Sequence, residues 1–332
     1  MILQDRVDMM VRLGEYMLSD TEAWRETKKI ASEKNGWFIP EFIELSARNI
    51  AGKFLNKEEL KTWAEKYQVP ETPANPKKLG IVMAGNIPLV GFHDLLAVFI
   101  SGQQAMVKMS SKDDVLMPHL VAVLAGWDKE ITDLIGFSSL LKNCDAYIAT
   151  GSNNTSRYFE YYFSRFPHII RKNKTSAAIL DGTETSAELE KLSDDISLYF
   201  GLGCRNVTKV FVPQGYDFVP LLAAAKKYNG LADHHKYKNN YDYNLAIHIL
   251  NNDFYMTNGS LIVVEEKNLF SPISQLNFEY YSDNDSLLSS LRDNPDLQCV
   301  TGNGQIPFGS AQSPSVNDYA DRVDTMSFLN TL

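Results

Sequence analysis

The stretch Leu79-Gly-Ile-Val-Met-Ala-Gly85 decides the fold. An apolar run that ends in glycine reads as a buried strand stopping at a turn. Leu95-Leu-Ala-Val-Phe-Ile100 follows and is apolar enough for a helix packed on a sheet. Gln104-Ala-Met-Val-Lys108 is a second strand, Val115 to Ala125 a second helix, and Asp145-Ala-Tyr-Ile-Ala-Thr150 a third strand running into Gly151-Ser152. Strand–helix alternation predicts an α/β fold on a parallel sheet. Ligands of such sheets bind where strands end and loops begin.

Working outward, residues 1 to about 69 read as helical. Leu3, Val7, Met10 and Leu13 fall near helical spacing, and so do Leu60, Trp63, Ala64 and Tyr67. Ser19-Asp20 is the expected cap of a helix around Trp24. Pro70-Glu-Thr-Pro-Ala-Asn-Pro76 ends this segment. On the other side, Thr175-Ser-Ala-Ala-Ile-Leu180 starts another strand. A helix with Leu189, Leu192, Ile196 and Phe200 aligned then leads to Cys204. Val207 to Val212 and Leu261 to Val264 are further strands. The expected division is a helical segment at 1–76, an α/β domain at 77–175 and a cysteine-bearing α/β domain with a tail at 176–332.

Composition narrows the function. The 332 residues are 44% hydrophobic, ample for a core, with a net charge of -9. An acidic surface argues against nucleic acid and against an anionic membrane as partner. Three cysteines, far apart, make no disulfide framework and no C-x-x-C pair, and the six histidines are scattered, so no metal is expected. No apolar stretch is long enough to span a bilayer, and the first residues carry charge with no signal core. The expectation is a cytoplasmic protein in a reducing compartment, where a thiol survives as a nucleophile.

Cys204 is the candidate nucleophile. It lies in Tyr199-Phe-Gly-Leu-Gly-Cys-Arg-Asn206, just before a β-rich run. Gly201 and Gly203 allow a tight turn and close approach of a substrate. Arg205 favours the thiolate, the reactive form. A buried core cysteine is the competing reading of the local sequence.

Several short motifs then fall in one order. They are Ala84-Gly-Asn-Ile-Pro-Leu-Val-Gly91, Val107-Lys-Met-Ser-Ser111, Thr150-Gly-Ser152 with Arg157 beyond, Ala177-Ala-Ile-Leu-Asp181, Cys204, Leu269-Phe-Ser-Pro272 and Ile306-Pro-Phe-Gly309. This order resembles the aldehyde dehydrogenase superfamily. Gly-Cys-Arg-Asn206 and the tail Asp318-Tyr-Ala-Asp-Arg-Val-Asp-Thr-Met-Ser-Phe328 are similar to its acyl-CoA reductase (LuxC-like) branch. The resemblance implies an aldehyde-dehydrogenase-like fold, with a Rossmann-type cofactor domain at 77–175 and a catalytic cysteine domain after it. It also implies a homo-oligomer as a possible assembly.

The resemblance assigns roles as well. Asn86 matches the amide that, with the Cys204 N–H, forms an oxyanion hole, though a plain turn residue is the alternative. Lys108 and Ser110 match the adenosine-ribose side of the cofactor. Ser111 and Lys112 stand where an acidic residue is usual, which implies NADPH in preference to NADH; a solvated lysine face is the other reading. Gly151 and Ser152 match the pyrophosphate turn at a helix start, with Ser156 in place of a second glycine. Asn268 stands where a glutamate often holds the nicotinamide ribose.

One departure is informative. Hydrolytic members carry a water-activating glutamate at the start of the strand leading to Ala177-Ala-Ile-Leu180, and Ile170 occupies that place here. Without a base, water attack on a thioester is slow. The expected activity is therefore reduction of an acyl thioester, from acyl-CoA or acyl-carrier protein, to the aldehyde. The alternatives are an aldehyde dehydrogenase making free acid and a non-catalytic nucleotide-binding member of the fold. His234, His235 and His248 are candidates to protonate the leaving thiolate.

Overall fold

The computed structural model describes all 332 residues. The chain forms two compact units, one of residues 1–173 with 314–332, the other of residues 174–313.

The first unit opens with four helices: α1 (Leu3–Leu18), α2 (Glu22–Lys34), α3 (Pro40–Asn49) and α4 (Lys57–Lys66). Helical spacing puts Val7, Met10, Leu13 and Met17 on the buried face of α1, and Leu60, Trp63 and Ala64 on that of α4. Full burial of each large apolar side chain is worth about 1.5–3 kcal/mol. The cap of α2 differs from expectation. Thr21 stands at its N-terminus, and the Ser19 hydroxyl turns back to donate to the Tyr16 carbonyl, closing α1 instead. Asn56 caps α4 by accepting from the Glu58 and Glu59 N–H groups.

Five strands follow: β1 (Lys78–Val82), β2 (Gln104–Lys108), β3 (Ile135–Phe137), β4 (Ala146–Thr150) and β5 (His168–Arg171). They interleave with α5 (Phe92–Ile100), α6 (Leu116–Trp127), α7 (Ile131–Leu134) and α8 (Asn153–Phe163). The sheet order is β3-β2-β1-β4-β5, and every pairing is parallel. This is a doubly wound order whose direction reverses between β1 and β4, the place where such sheets bind ligands. The helix α5 is buried along its length except at half-buried His93, as its apolar run Leu95–Ile100 requires.

The second unit carries β6 (Thr175–Ile179), α9 (Ser186–Ser197), β7 (Val207–Pro213), α10 (Val219–Ala224), α11 (His235–Asn251), β8 (Met256–Thr257), β9 (Ile262–Glu265), β10 (Gln275–Tyr281), α12 (Asn284–Arg292) and β11 (Leu297–Thr301). Its sheet runs β11-β6-β7-β10-β9-β8, parallel except for the short β8 edge. Thr185 and Glu188 form a reciprocal capping box at the start of α9. The strand expected from Thr175 is β6, but Ile170, read as standing at the start of the strand leading to Ala177–Leu180, lies on the separate strand β5 in the other sheet. No helix is long and apolar enough to cross a membrane.

The tail returns to the first unit and ends in α13 (Thr325–Leu329). The motif residues of the tail explain the return. The Tyr319 hydroxyl accepts from the Trp63 indole at 2.7 Å, Asp324 accepts from the Tyr67 hydroxyl at 2.6 Å, and His93 meets the Val316 carbonyl at 2.8 Å. The buried Arg171 guanidinium donates to Asp94 on α5 at 2.7 Å, to Thr325 at 2.8 Å and to the Ala320 carbonyl. Removing one member of a buried ion pair strands the other, typically at a cost of about 3–5 kcal/mol. Arg171→Met should therefore lower unfolding stability by roughly that amount in urea titration. The double variant Arg171→Met/Asp94→Leu should recover much of the loss. A single variant as stable as the parent would contradict this account of the tail.

Candidate active site

Three turns of the first unit meet at the carboxyl ends of adjacent strands. The Asn86 turn follows β1, the Lys108–Lys112 turn follows β2, and Gly151-Ser152 follows β4. The fold thus brings together Asn86, Lys108, Ser110, Ser111, Gly151 and Ser152 on one edge. Cys204 and Asn268 belong to the second unit.

The β4 turn is built for close approach. A Cβ on Gly151 would lie 2.9 Å from the Phe159 ring and 3.1 Å from Thr155, so a side chain there would have to displace the ring. Ser152 caps α8, accepting from the Thr155 N–H at 3.3 Å. No acidic residue occupies the first turn of α8, which leaves its N–H dipole available to an anion. Ser156, in place of the second glycine, is buried and satisfied by the Asn153 carbonyl at 2.9 Å. Lys108, Ser111 and Lys112 are exposed, while the half-buried Ser110 shapes the turn by accepting from the Lys112 N–H at 3.2 Å. These groups suit a dinucleotide: cations beside the β2 end, and a glycine with a helix start beside the β4 end.

The Asn86 turn is clamped from two sides. The buried Ser46 hydroxyl donates to the Pro88 carbonyl at 2.7 Å, and the Leu89 N–H donates to the buried Asp113 carboxyl at 2.8 Å. Leu89 is held at φ 58°, a conformation unusual for a bulky residue. Gly85 lets this turn lie flat on its neighbour, since a Cβ there would sit 2.7 Å from the Ser110 Oγ. Asn86 itself is half-buried. Burial pushes the Asp113 carboxyl up to about 6, against the lowering effect of the Leu89 N–H.

Cys204 is half-buried in the turn between α9 and β7, whereas Cys144 and Cys299 are buried. The approach to it is strained. Tyr199, Phe200 and Gly201 stand at φ 55°, 57° and 74°, three left-handed residues in succession, two of them aromatic. Such geometry persists only where the surroundings over-determine it. Phe200 therefore lies in this turn rather than on the α9 stripe. Asn206, fully buried, supplies much of the restraint. Its amide donates to the carbonyls of Asp195, Ile196 and Leu198 at 3.0, 3.2 and 2.8 Å, and its oxygen accepts from the Gly203 N–H at 2.8 Å. The Asn206 N–H also holds the Gly203 carbonyl at 3.0 Å. A trans peptide carries its C=O and N–H on opposite sides, so this bond directs the Cys204 N–H away from Asn206.

Asn268 lies exposed in the loop between β9 and β10. Its side-chain oxygen accepts from the Phe270 N–H at 3.1 Å, so the amide shapes its own turn. The buried Asn277 amide grips the Asn268 and Phe270 carbonyls at 2.9 and 3.2 Å. Lys209, also buried, reaches the Glu266 carbonyl and the Glu279 carboxylate. Burial lowers the Lys209 pKa, and the Glu279 partner opposes that. On α9, the fully buried Asp195 accepts from the Gly309 and Ala311 N–H groups at 2.7 and 3.0 Å and so fixes the Ile306–Gly309 motif. Burial raises its carboxyl to about 6 despite those bonds. Among the candidate histidines, His234 lies against the Phe200 ring at 4.7 Å, His235 is exposed, and His248 sits between Asp253 and Gln275.

Sequence reasoning missed Ser46, Asp113, Asp195, Lys209 and Asn277. A charged or polar residue inside an apolar strand is the only local signal available, and Lys209 in Val207-Thr-Lys-Val-Phe-Val212 shows it.

A family profile described as acyl-CoA reductase (LuxC) matches residues 56–225, a span that includes both Asn86 and Cys204. Among solved structures, the chain is similar to a Mycobacterium tuberculosis aldehyde dehydrogenase complexed with NAD+, at TM-score 0.67 and 14% identity, covering 94% of this chain and 76% of that one. An aldehyde dehydrogenase from Bacillus cereus gives TM-score 0.65 and 13% identity, covering 96% and 75%. An indole-3-acetaldehyde dehydrogenase complexed with NAD+ gives 0.64 and 12%, covering 94% and 74%. The fold is that of aldehyde dehydrogenases. No curated protein matches in sequence.

The raised Asp195 carboxyl has a pH signature. Its folded pKa of about 6 exceeds the unfolded value, so its contribution to stability is fully present below the unfolded pKa of about 3.9. That contribution is lost as pH rises through about 6, and amounts to something on the order of 2–3 kcal/mol. Thermal melts of the parent and Asp195→Asn between pH 5 and 7.5 should diverge. The parent should gain on the variant as pH falls. Parallel curves would place the carboxyl pKa near its ordinary value.

Proposed function

The chain belongs to the acyl-CoA reductase (LuxC) family, and from that premise we propose that it reduces an acyl thioester to the aldehyde with NADPH through an acyl-enzyme on Cys204. The family and the fold support oxidoreductase chemistry at the aldehyde level. The observation that carries the finer reading is the Cys204 turn. A half-buried thiol sits on a strained turn, restrained by a fully buried asparagine, and that arrangement serves presentation of a nucleophile better than core packing.

In this reading the Cys204 thiolate attacks the carbonyl carbon of acyl-CoA. The carbonyl electron pair moves onto oxygen, where the Asn86 amide and the Cys204 N–H stabilise the charge. Collapse breaks the carbon–sulfur bond to coenzyme A, which leaves as a thiol after taking up a proton. Nucleophilic catalysis thereby divides one hard step into two easier ones. The nicotinamide group, when bound, supplies the hydride that takes the enzyme thioester to the aldehyde oxidation level. Release of the aldehyde regenerates the thiolate. In this reading Lys108, Ser110, Ser111, Gly151 and Ser152 make the first unit the cofactor-binding one, Cys204 makes the second unit the one that carries the nucleophile, and Asn86 serves the chemistry from the first. Asn268 would contribute through its side-chain NH2 group, because its side-chain oxygen is engaged with Phe270 and its backbone with Glu266 and Asn277.

NADPH is proposed over NADH because exposed Lys108 and Lys112 flank Ser111 where an acidic side chain would repel a 2′-phosphate. Acid formation is disfavoured by the half-buried Ile170 on β5, where a water-activating carboxylate would otherwise stand.

Three experiments test this. With NADPH and a ladder of acyl-CoA lengths, the parent should consume NADPH, and Cys204→Ala should lose turnover while still binding nucleotide. Retained turnover in that variant rejects the covalent route. In reverse, with aldehyde and NADP+, product analysis by mass spectrometry should find acyl-CoA when coenzyme A is present and little free acid without it. Comparable acid formation in both arms would favour the hydrolytic alternative. In a binding titration, NADPH should bind tighter than NADH, and Lys112→Ala should narrow the gap; equal affinities in the parent would remove the case for NADPH.

A further inference from the structure

Ser176 is fully buried on β6, among Thr175, Ala177, Ala178 and Ile179, which are buried as well. A hydroxyl in such a place is costly unless it is hydrogen-bonded. Its Oγ lies 3.1 Å from the Cys204 carbonyl oxygen, 3.1 Å from the Cys299 Sγ and 3.3 Å from the Cys299 backbone N. The Ser176 N–H is also used on the same turn, donating to the Asn206 carbonyl at 3.0 Å.

The proton count fixes the direction of these bonds. A serine hydroxyl has one proton, and a carbonyl oxygen can only accept. The Ser176 proton therefore goes to Cys204. The Cys299 N–H and S–H must then both point at the Ser176 oxygen, which makes Cys299 a neutral thiol and a donor. Cys299 is buried, where an apolar environment keeps a thiol protonated and inert.

We infer that Ser176 is a positioning residue for the nucleophile, the middle member of a Cys299–Ser176–Cys204 relay that sets the carbonyl of the Cys204 turn. This rests on the reading of Cys204 as the nucleophile. Asn206 holds one side of the turn through Gly203, and Ser176 holds the other through the carbonyl of Cys204 itself. Between them the peptide planes before and after the Cys204 Cα are both fixed, so the thiol is presented in one orientation. Loss of the hydroxyl frees the second plane, and misplacement of a reacting group by about 1 Å can cost up to about a hundredfold in rate.

The test reads the thiol directly, in the full chain and without an acyl substrate. Alkylation of Cys204 by iodoacetamide, assigned by mass spectrometry, is followed from pH 6 to 9 in the parent and in Ser176→Ala, Ser176→Thr, Cys299→Ala and Cys299→Ser. Circular dichroism and thermal melts check folding. Ser176→Ala should slow alkylation roughly tenfold or more across the pH range, and Ser176→Thr, which keeps the hydroxyl, should recover most of the rate. Cys299→Ala should slow alkylation, and Cys299→Ser, which keeps a donor, should reverse that loss. Parent-like alkylation in a folded Ser176→Ala overturns the proposal. Should Ser176→Ala fail to fold, the Cys299 pair decides, and equal rates in Cys299→Ala and Cys299→Ser overturn it. The outcomes separate the two readings. Slowed alkylation in the variants, with a parent that reduces no acyl-CoA, keeps the relay and rejects the reductase. An active parent whose variants alkylate normally does the reverse.

Discussion

Everything in the first unit leans on the Arg171 guanidinium. It is buried at the end of β5, two residues before the chain leaves for the second unit. Its charge is balanced by Asp94 on α5, and its remaining donors reach Thr325 and the Ala320 carbonyl of the returning tail. The same residue's carbonyl accepts from the Gly151 N–H at 3.2 Å, at the start of the proposed pyrophosphate turn. One residue thus joins the sheet edge, a core helix, the tail and a loop of the site. A cation taken out of water needs its whole hydrogen-bonding capacity met. That requirement, together with burial of Val316, Met326 and Leu329 in the core, specifies where the tail must lie.

The candidate residues of the two units are held in different ways. In the first, close packing governs: a Cβ on Gly85 or Gly151 would press on the neighbouring turn or ring, and Asp113 and Ser46 hold the Asn86 turn. In the second, strain governs. Three left-handed residues precede Cys204, and fully buried Asn206 and Ser176 occupy the polar groups that would otherwise relax the turn. Strain of this kind survives only where many bonds converge on it, and here they converge on the one half-buried thiol.

The alternation of strands and helices was legible because β1, β2 and β4 lie inside a parallel sheet and read as short apolar runs. The β5–β6 break was not, because only three residues separate two strands that belong to different sheets. The strands β10 and β11 were missed as well; Gln275–Tyr281 and Leu297–Thr301 mix polar side chains into their faces, which hides the apolar pattern. The turns that carry Cys204, Asn86 and Gly151 were legible because they hold glycine or proline beside the ends of strands and helices. Asp113 and Ser46 were not, since their partners lie 24 and 42 residues away and no local pattern marks such a pairing. The cap of α2 was misassigned because Ser19 has a competing local bond to the Tyr16 carbonyl.

The tail has one more consequence, for the order in which the molecule comes into being. Residues 174–313 are continuous, while the first unit is interrupted by them and closes only with residues 314–332. On a ribosome, the inserted unit has all its strands before the host unit has its last helix. Until then Arg171 and Trp63 lack Thr325 and Tyr319, and the host remains an open intermediate with its charged group unsealed. Contacts such as Trp63 with Tyr319, 256 residues apart, are slow to form because the loop they close is long. Synthesis therefore delivers this completing piece only after the whole inserted unit, and the first unit depends on it to become native.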